Sequence, residues 1–419
     1  MLTIKIEEPA TVGLLEKQIN EIYDNSEASI KKLLFDFSTC PFIEITTLAF
    51  LISFITQRAI KNLITKIKLP FSKDVRDILR VWDFPNALKR ASGIPFSRIV
   101  IEEDHKYFGE DFSLENMKYS QSIIYDKRLT RLLSKNFFSF NTYSIDSIIF
   151  SPKVAFDECR RWQDRLISSV LNNHLKGPDS YVSNRIIFEA LTNTLRHPDA
   201  KIVQTSSFFQ PVRDKRNNIR GHFTIIIWDD GISMIDTLRN ALKAGKKIRS
   251  TQADEFFTKY LFVLKDSNGK KINEKTIGSD FSPDNNCSDE LLLLTECFPG
   301  ITCDIEGKNI INNNDGDVEV PKIFSRPGMG LYILVNAVVY IFGGEIAYRT
   351  KNIFINIKKA PKKTGKNYDY RVKAMNYSEY LPNFLGNMLT IRLPIFRSYA
   401  PTVKPKEIQR NEECSPVGL

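Results

Sequence analysis

The sequence predicts an α/β protein built from two successive α/β domains. The chain has 419 residues, and typical domain sizes of about 100 to 200 residues make two or three domains the expected number. In residues 1–98, runs of β-forming residues alternate with segments of helical apolar spacing, and a second alternation begins near residue 151. Hydrophobic residues at 42% and charged residues at 26% are typical of a folded globular protein and exclude a disordered or collagen-like chain.

The first domain, residues 1–98, is predicted to alternate three strands with three helices. Apolar residues at alternate or successive positions predict strands in LTIKI, KLLFDFS and ITKIKLP. Three- and four-residue apolar spacing predicts helices in VGLLEKQINEIY, TLAFLISFITQRAI and KDVRDILRVWDF. Residues 99–150 are rich in aromatic side chains and show no clean period, so we expect a connector that packs on its neighbours.

The second domain, residues 151–398, opens with two helical segments, and the second ends before Pro198, because proline disfavours helical geometry in the residue ahead of it. AKIVQTSSFF and HFTIIIWDD then predict an antiparallel hairpin. Residues 235–326 contain one helical piece, turn clusters and little regular period, so we expect a long insertion. A glycine-opened helix, a strand, a lysine-rich segment and a last strand in MLTIRLPI follow. Residues 399–419 are expected to be a disordered tail.

Charge and cysteine content restrict the setting in which the chain works. Lys and Arg exceed Asp and Glu by 59 to 49, a net charge of +10 that is compatible with nucleic acid, nucleotide phosphates or solvated lysine faces. The six cysteines form no C-x-x-C pair and follow no disulfide spacing, which is typical of thiols kept reduced in a cytoplasm. The N-terminus does not resemble a signal peptide, and no stretch is long and apolar enough to predict a membrane span. We therefore expect a cytoplasmic protein.

An E-x-x-x-N pair, Glu189 and Asn193, lies in the second predicted helix of this domain. Four residues are about one helical turn, so both side chains point from the same face. An amide oxygen there can hold Mg²⁺ while the carboxylate orients or deprotonates a nucleophile. Two solvated polar residues are the alternative interpretation.

Asp229, Asp230 and Gly231 follow the apolar strand FTIIIW. A carboxylate at a strand end can accept a hydrogen bond from an exocyclic amine, and a glycine after it lets a flat ring approach the backbone. Asp-Gly is also a common strand-ending turn, which is the alternative.

A third motif, GMGLYI from Gly328 to Ile333, opens a helix. Glycines at a helix N-terminus expose backbone N–H groups and the positive end of the helix dipole to an anion such as a triphosphate. A tight turn before a buried helix would use the same residues. The three motifs together, in this order, are far less common than any one alone.

The ordered segments FEALTNTLRH, IIIWDDGISM, GMGLYILVNAVVYIFGGEIAY and LTIRLP resemble the GHKL superfamily of ATP-binding (Bergerat) folds, and EALTNTLRH is most similar to the anti-sigma-factor serine kinases. The resemblance covers about residues 151–398 and implies an α/β sandwich with a long ATP lid, a bound Mg²⁺-ATP and a homodimer. It differs from the family at Ser233, where a second glycine is usual, and at Asn387-Met388, where a Gly-Thr pair often precedes the last strand.

The resemblance also implies roles for individual residues. Asn193 would be the Mg²⁺ ligand, Glu189 the catalytic base and Asp229 the carboxylate that reads adenine, with Gly231 beneath the ring. Residues 235–326 would form the ATP lid. The residues implied to hold the phosphates at its hinge are Gly328, Met329, Gly330 and Leu331.

The first domain resembles the STAS fold of anti-sigma-factor antagonists, in which a strand ends in an acidic residue and a phosphorylatable Ser or Thr begins a helix. Here Glu44-Ile45-Thr46-Thr47 places Thr46 at the phospho-acceptor position. Ile45 replaces a serine of the family pattern, and Thr47 replaces a glycine. The alternative for Thr46 is a helix N-cap.

Three functions follow as hypotheses. The chain is a Mg²⁺-dependent ATPase whose lid and dimer state switch with nucleotide to regulate a partner, a serine/threonine kinase that phosphorylates a STAS-like protein, or a nucleotide-binding scaffold. Catalysis in the first two is positioning and charge neutralisation around one phosphoryl group, so they share site residues. A role in bacterial regulation, stress response or phage defence is suggested by analogy of fold. The lysine cluster Lys358–Lys366 could contact nucleic acid or be a solvated loop.

Overall fold

The computed structural model describes most of the predicted first domain and the strands of the second. The described residues are 1–24, 30–81, 84–108, 141–144, 190, 200, 202–213, 219–249, 256–266, 269–302, 330–360, 368–377 and 384–396. They form a mixed α/β protein with a three-stranded parallel sheet and a nine-stranded mixed sheet. The α/β class predicted from the sequence is confirmed. Residues 399–419, the predicted tail, lie outside the described part.

The N-terminal module is built on the three-stranded sheet, whose order is β1-β2-β3 with all strands parallel. The three strands and three helices that the sequence predicts for this region are present, and two short helices follow them. The strands are β1 (Leu2–Lys5), β2 (Lys32–Asp36) and β3 (Ile64–Lys68), and the helices are α1 (Val12–Asp24), α2 (Ile45–Ile60), α3 (Lys73–Val81), α4 (Phe84–Ser92) and α5 (Phe96–Ile99).

The module extends past the predicted boundary at residue 98. The backbone N–H of Ile101 donates to the oxygen of Ile67 at 3.0 Å, and a carboxylate oxygen of Asp104 accepts from the N–H of Leu69 at 2.6 Å. Phe108 packs against the module's hydrophobic core. The first ten residues of the predicted connector, 99–108, therefore belong to the module.

The second sheet has the order β4-β5-β6-β12-β9-β10-β11-β7-β8. Its neighbours are antiparallel except β7 and β11, which are parallel. The predicted hairpin is confirmed as β5 and β6. The strands are β4 (Asn141–Ser144), β5 (Ile202–Arg213), β6 (Ile219–Asp229), β7 (Lys259–Lys265), β8 (Lys271–Gly278), β9 (Glu345–Lys351), β10 (Ile353–Lys359), β11 (Tyr370–Asn376) and β12 (Phe384–Phe396).

One face of this sheet, the helical face, packs against helices of the second domain. These are α6 (Met234–Lys243), α7 (Asp289–Thr295) and α8 (Gly330–Val335), which continues as a π-helix over Asn336–Ile341. Side chains at alternate strand positions, such as Ile225 and Ile227, share one core with helix residues such as Leu238 and Val338. This is the period of two that a half-buried strand requires.

The opposite face, the back face, packs in part on the N-terminal module. Ile226, Trp228 and Met388 belong to the same buried cluster as the apolar residues of α2. From Ile45 to Arg58 every residue of α2 except Thr46 is buried. A helix that is apolar on all sides is buried on all sides, and α2 fits this rule because it has a sheet of the module on one side and the large sheet on the other.

A buried ion pair crosses the same interface. Arg349 of β9 contacts the carboxylate of Glu16 of α1, and their side chains are only 3% and 1% exposed. The guanidinium carbon of Arg349 also lies 4.2 Å from the centre of the Tyr377 ring. Charges of this kind are tolerated in a protein interior only when they are paired, so the pair ties the module to one position on the sheet.

Residues 235–326 differ from the expected irregular insertion. Most of α6 and all of β7, β8 and α7 fall in this stretch, and Tyr260 and Leu292 are fully buried. These elements cannot be predicted from the local sequence pattern, because β7 forms by pairing with β11, a strand far away in the sequence. Residues 303–326 lie outside the described part, so for them the lid stays a prediction.

Candidate functional site

The candidate site is centred on Asp229, where β6 ends. Asp229 is buried, with 2% of its surface exposed. Its Oδ1 accepts hydrogen bonds from the backbone N–H of Gly231 and from Nδ2 of Asn387, both at 3.0 Å. The bond from Gly231 is the side-chain-to-backbone bond of an Asx turn. Asp229 and Gly231 therefore form the strand-ending turn, and the carboxylate is held in one orientation at the edge of the sheet.

Asn387 of β12 fixes the loop that follows Asp229. Its Oδ1 accepts from the backbone N–H of Met234 at 2.9 Å, and its Nδ2 donates to the oxygen of Ile232 at 3.0 Å as well as to Asp229. Gly386 beside it has φ +72°, and a Cβ there would lie 1.7 Å from the backbone oxygen of Asp229. The Asn387 side chain thus stabilises the candidate site, at a position where the family that the sequence resembles often has a glycine.

Ser233, the second departure from the family pattern, is the N-cap of α6. Its Oγ accepts from the backbone N–H of Asp236 at 3.0 Å and donates to the Asp236 carboxylate at 2.7 Å. The backbone of Ser233 is extended, with φ −61°, so no glycine is required there. Lys351, at the end of β9, contacts the same carboxylate of Asp236. Ser233 therefore caps a helix next to Asp229, and it does not obstruct the turn formed by Asp229 and Gly231.

The glycine-opened helix is present and α8 begins at Gly330. The turn at Gly343 and Gly344 joins the helix to β9. Gly343 has φ +66°, and a Cβ on Gly344 would lie 2.3 Å from the backbone oxygen of Arg392. Leu331 packs its side chain against the core of the helical face. Gly328 and Met329 lie outside the described residues.

The direction of this helix decides where its N-terminus lies. A tight turn makes α8 and the π-helix run antiparallel to β9, and about 18 Å of helix then covers about 23 Å of strand. Gly330 therefore lies toward the edge at which β9 ends. At that edge Asn387 is paired with Thr350 of β9 on one side and with Asp229 of β6 on the other. The chain topology thus places Gly330, the described glycine of the motif, toward the Asp229 edge of the sheet.

Glu189 and Asn193 lie outside the described residues, so their predicted roles stay predictions. Ala190, between them, is described and helical, is 1% exposed, and belongs to the core of the helical face. Ala190 therefore lies on the same side of the sheet as α8.

The described residues hold no group of three or more His, Cys, Asp or Glu side chains that could bind a metal ion. Cys297 is buried, and burial raises the pKa of its thiol far above the ordinary value. Cys287 accepts a hydrogen bond from the N–H of Asp284 at 3.3 Å. Asn193, the predicted Mg²⁺ ligand, is not among the described residues.

Thr46 is not the N-cap of α2, in contrast to the alternative interpretation of the sequence. Glu44 occupies that position, and Thr46 follows in the first turn with its hydroxyl 3.3 Å from the Glu44 carboxylate. Thr47, by contrast, is buried and donates to the backbone oxygen of Ala10 at 2.8 Å. Thr46 keeps a partly exposed hydroxyl at the helix start, as a phospho-acceptor position would require.

The first two lysines of the predicted cluster Lys358–Lys366 lie on opposite faces of the sheet. Lys358 contacts Glu345 on the back face, whereas Nζ of Lys359 lies 4.4 Å from the centre of the Tyr340 ring on the helical face. These neighbours point to opposite sides because strand side chains alternate. The interpretation of residues 358–366 as one cluster is therefore wrong for its first two lysines. Lys362, Lys363 and Lys366 lie outside the described residues.

Sequence reasoning missed the roles of Asn387 and Arg349. An amide before an apolar strand carries no recognisable motif, and its bonds to Asp229 join residues that are distant in sequence. The charge of Arg349 within the predicted strand EIAYRT could have indicated a buried ion pair. Its partner Glu16, however, lies in the other predicted domain.

The chain matches no protein-family model, no curated protein and no solved structure. Among the residues that the structure describes, no helix combines the length and the apolar character needed to cross a membrane.

Proposed function

We propose that the chain is a cytoplasmic Mg²⁺-dependent ATPase with a GHKL-type nucleotide-binding domain and a STAS-like N-terminal module. In this proposal its lid and dimer state change with nucleotide and regulate a partner protein. The motif order in the sequence supports the proposal, as does the antiparallel arrangement of β6, β12 and β9 beneath a glycine-opened helix.

The observation that carries the proposal is the buried carboxylate of Asp229. Burying a charge is costly unless hydrogen-bond donors surround it, and Gly231 and Asn387 supply two donors to one oxygen of Asp229. A carboxylate accepts hydrogen bonds only, which suits the exocyclic amine of adenine. Gly231 leaves the backbone open to a flat ring.

The remaining roles belong to residues that the resemblance assigns. Asn193 would hold Mg²⁺, Glu189 would accept the proton of the attacking group, and the helix start from Gly328 to Leu331 would hold the phosphates. Bound Mg²⁺-ATP supplies the phosphoryl group and the metal charge that offsets its negative charge. The chain's own part is to orient the base, bind the phosphates at a helix N-terminus and exclude water.

A serine/threonine kinase is the second candidate, because the Thr46 hydroxyl is partly exposed at the first turn of α2. The module that carries Thr46 packs on the back face, whereas α8 and Ala190 lie on the helical face. A nucleotide held between the sheet and its helices would be separated from the module by the sheet. Transfer to Thr46 would then proceed to another copy of the chain, or to a STAS-like partner with an equivalent hydroxyl.

Incubation of the full chain with γ-labelled ATP and Mg²⁺ tests these alternatives. Free labelled phosphate that is lost in Glu189→Ala while ATP binding persists supports the ATPase. Label on the protein that is lost in Thr46→Val supports the kinase. ATP binding without either product supports the nucleotide-binding scaffold. Unchanged ATP affinity in Asn193→Ala would contradict the site assignment.

A further inference from the structure

The uncovered part of the back face carries a group of cations drawn from four strands. Side chains on this face alternate with those of the helical face, so the register identifies the members. Lys358 is directly opposite Arg371, and Lys265 is directly opposite Met375, two residues from Lys373. We call this group the basic face; its residues are Lys265, Lys358, Arg371, Lys373 and Arg392.

Two adjacent strands, β10 and β11, change character along the back face in the same direction. On β10 and β11 the covered residues are Phe354 and Met375, which pack against the module. Two positions further from the module Asn356 and Lys373 are paired, and two positions beyond these Lys358 and Arg371 are paired.

The neighbouring strands repeat this change. On β12 the sequence of back-face residues is Met388, Thr390 and Arg392, and on β6 it runs from Trp228 to an exposed His222. On β10, β11 and β12 the apolar end of the back face is covered by the module, and the other end carries cations. The same change on three strands indicates that the basic face is a built surface. β7 differs, because Lys265 lies level with Met375 and the apolar Leu261 and Val263 are opposite Arg371 and Lys373.

Like charges lie close together on this surface. Directly opposed cations such as Lys358 and Arg371 destabilise a sheet. Burial, together with the nearby charges of Lys265 and Lys358, lowers the pKa of Lys373 below its ordinary value. Burial and the neighbouring Arg392 likewise lower the pKa of His222. An anionic ligand would relieve this repulsion.

The carboxylates on and beside the basic face already have partners. One of them, Glu345, pairs with two cations of the face itself, Lys358 and Arg392. On the edge strand Glu274 lies 3.2 Å from Lys271, and at the start of β11 Asp369 accepts the backbone N–H of Lys259 at 2.9 Å. No ion pair joins Arg371, Lys373 or Lys265 to a carboxylate within the described part of the chain. The face therefore keeps a net positive charge.

The shape of the surface favours one form of polyanion. The five strands from β12 to β7 are all interior strands of the sheet, and they span about 19 Å. The grooves of a duplex admit a helix or a two-stranded ribbon, and a face five strands wide is too broad to enter them. A single strand can lie across such a face, with several phosphates within reach of the cations.

An aromatic side chain lies at the rim of this surface. Phe257 is 53% exposed, and Nζ of Lys259 is 5.7 Å from the centre of its ring. Lys259 precedes the buried Tyr260 and so points to the back face. Base stacking on an exposed ring beside cations is how proteins bind single strands without sequence preference.

We propose that the basic face binds the phosphate backbone of single-stranded nucleic acid, with Phe257 as a stacking residue at its rim. This function is independent of ATP, because the surface lies on the side of the sheet opposite α8.

Fluorescence anisotropy of a short labelled single-stranded oligonucleotide with the full chain, in EDTA and without nucleotide, tests the proposal. With about four phosphate contacts, the logarithm of the binding constant should fall with the logarithm of salt concentration with a slope of about −3. The same sequence as a duplex should bind more weakly. Binding that does not depend on salt, or tighter binding of the duplex, would overturn the proposal.

Matched variants locate the surface. Arg371→Gln with Lys373→Gln should weaken binding about tenfold or more and flatten the slope by about 1.4. The same loss of charge at the exposed Lys61 and Lys89 of the module should change affinity far less. Equal losses in the two double variants would contradict the assignment.

Single variants sharpen the test within one strand. Lys358→Gln should weaken binding, whereas Lys359→Gln, on the opposite face, should not. Phe257→Leu should weaken binding about fivefold or more at every salt concentration without changing the slope, because stacking releases no counterions. Equal affinities of the Lys358 and Lys359 variants would exclude the back face as the binding surface.

Discussion

The two faces of the nine-stranded sheet are covered in different ways. The helical face is covered by α6, α7 and α8 of the same domain, and Asp229 lies at its edge. The N-terminal module covers the apolar half of the back face, whereas the basic face is in contact with solvent. The same strands thus support a candidate nucleotide site, a docked module and a charged surface, because successive side chains of a strand point to opposite sides.

This difference indicates how ATP binding, on the helical face, can be separated from nucleic-acid binding, on the back face. Residues of the helical face act through a core that belongs to one domain. Residues of the apolar half of the back face act through an interface between two modules, where Arg349 and Glu16 form the charged contact. Substitutions of adjacent residues in one strand can therefore affect ATP binding without affecting nucleic-acid binding, or the reverse.

The largest effect is expected from breaking the buried ion pair. Arg349→Ala leaves the Glu16 carboxylate buried and without its main partner, and we expect a loss of about 3 to 5 kcal/mol in the free energy of unfolding. Urea denaturation followed by circular dichroism measures this loss. The double variant Glu16→Leu with Arg349→Met should recover most of it, because both charges are then absent. A loss below 1 kcal/mol in Arg349→Ala would show that the pair does not hold the interface.

A pair of adjacent isoleucines compares the two faces directly. Ile226 is 1% exposed and packs on the module, whereas Ile227 is 2% exposed and packs on the helices. Each change to Ala should cost about 2 to 5 kcal/mol, because both leave a cavity.

Hydrogen exchange distinguishes these two variants. Ile226→Ala should increase the exchange of α2 amides, since α2 lies on the module side of the sheet, and Ile227→Ala should increase the exchange of α6. The same exchange pattern in both variants would contradict the division of the strand between two cores.

Elements with a strong local pattern were predictable from the sequence. α2 and β6 are examples, because their apolar residues form a continuous run. β10 was not predicted, since its lysines next to a lysine-rich segment obscure the alternation. β8 was not predicted either, because six of its eight residues are exposed. Such strands form through pairing with distant neighbours, which a local pattern does not contain.

The candidate site was predictable only where a motif is local. Asp229 and Gly231 were identified from the residues that follow an apolar strand. The role of Asn387 was missed, because its contact with Asp229 depends on β12 lying beside β6. The basic face was missed for the same reason, since it assembles cations from four strands, and the local cluster of lysines suggested a different group.

The smallest effect is expected from Glu345, the carboxylate beside the basic face. Burial raises its pKa, but hydrogen bonds and charges from Lys358 and Arg392 outweigh burial and hold the pKa below the ordinary value of 4.5. The contribution to stability is therefore complete above about pH 4.5 and is lost as the pH falls through the pKa of the folded state. Glu345→Gln should cost less than about 1 kcal/mol at pH 7, and the difference from wild type should close in acid.

The same variant should strengthen oligonucleotide binding, because Lys358 and Arg392 lose their negative partner. Anisotropy at pH 7 and low salt measures this gain. Weaker binding by Glu345→Gln would contradict the arrangement of charges on the back face.

The central claim is that the carboxylate of Asp229 reads the adenine of ATP. Asp229→Asn keeps the size of the side chain and an oxygen that can accept from Gly231, but it replaces the other carboxylate oxygen with a donor. Calorimetry should show ATP affinity reduced about tenfold or more, since a hydrogen bond to a charged group is lost. GTP, whose base carries an oxygen where adenine carries the amine, should lose less, so the ratio of ATP to GTP affinity falls. An unchanged ratio together with unchanged ATP affinity would contradict the claim.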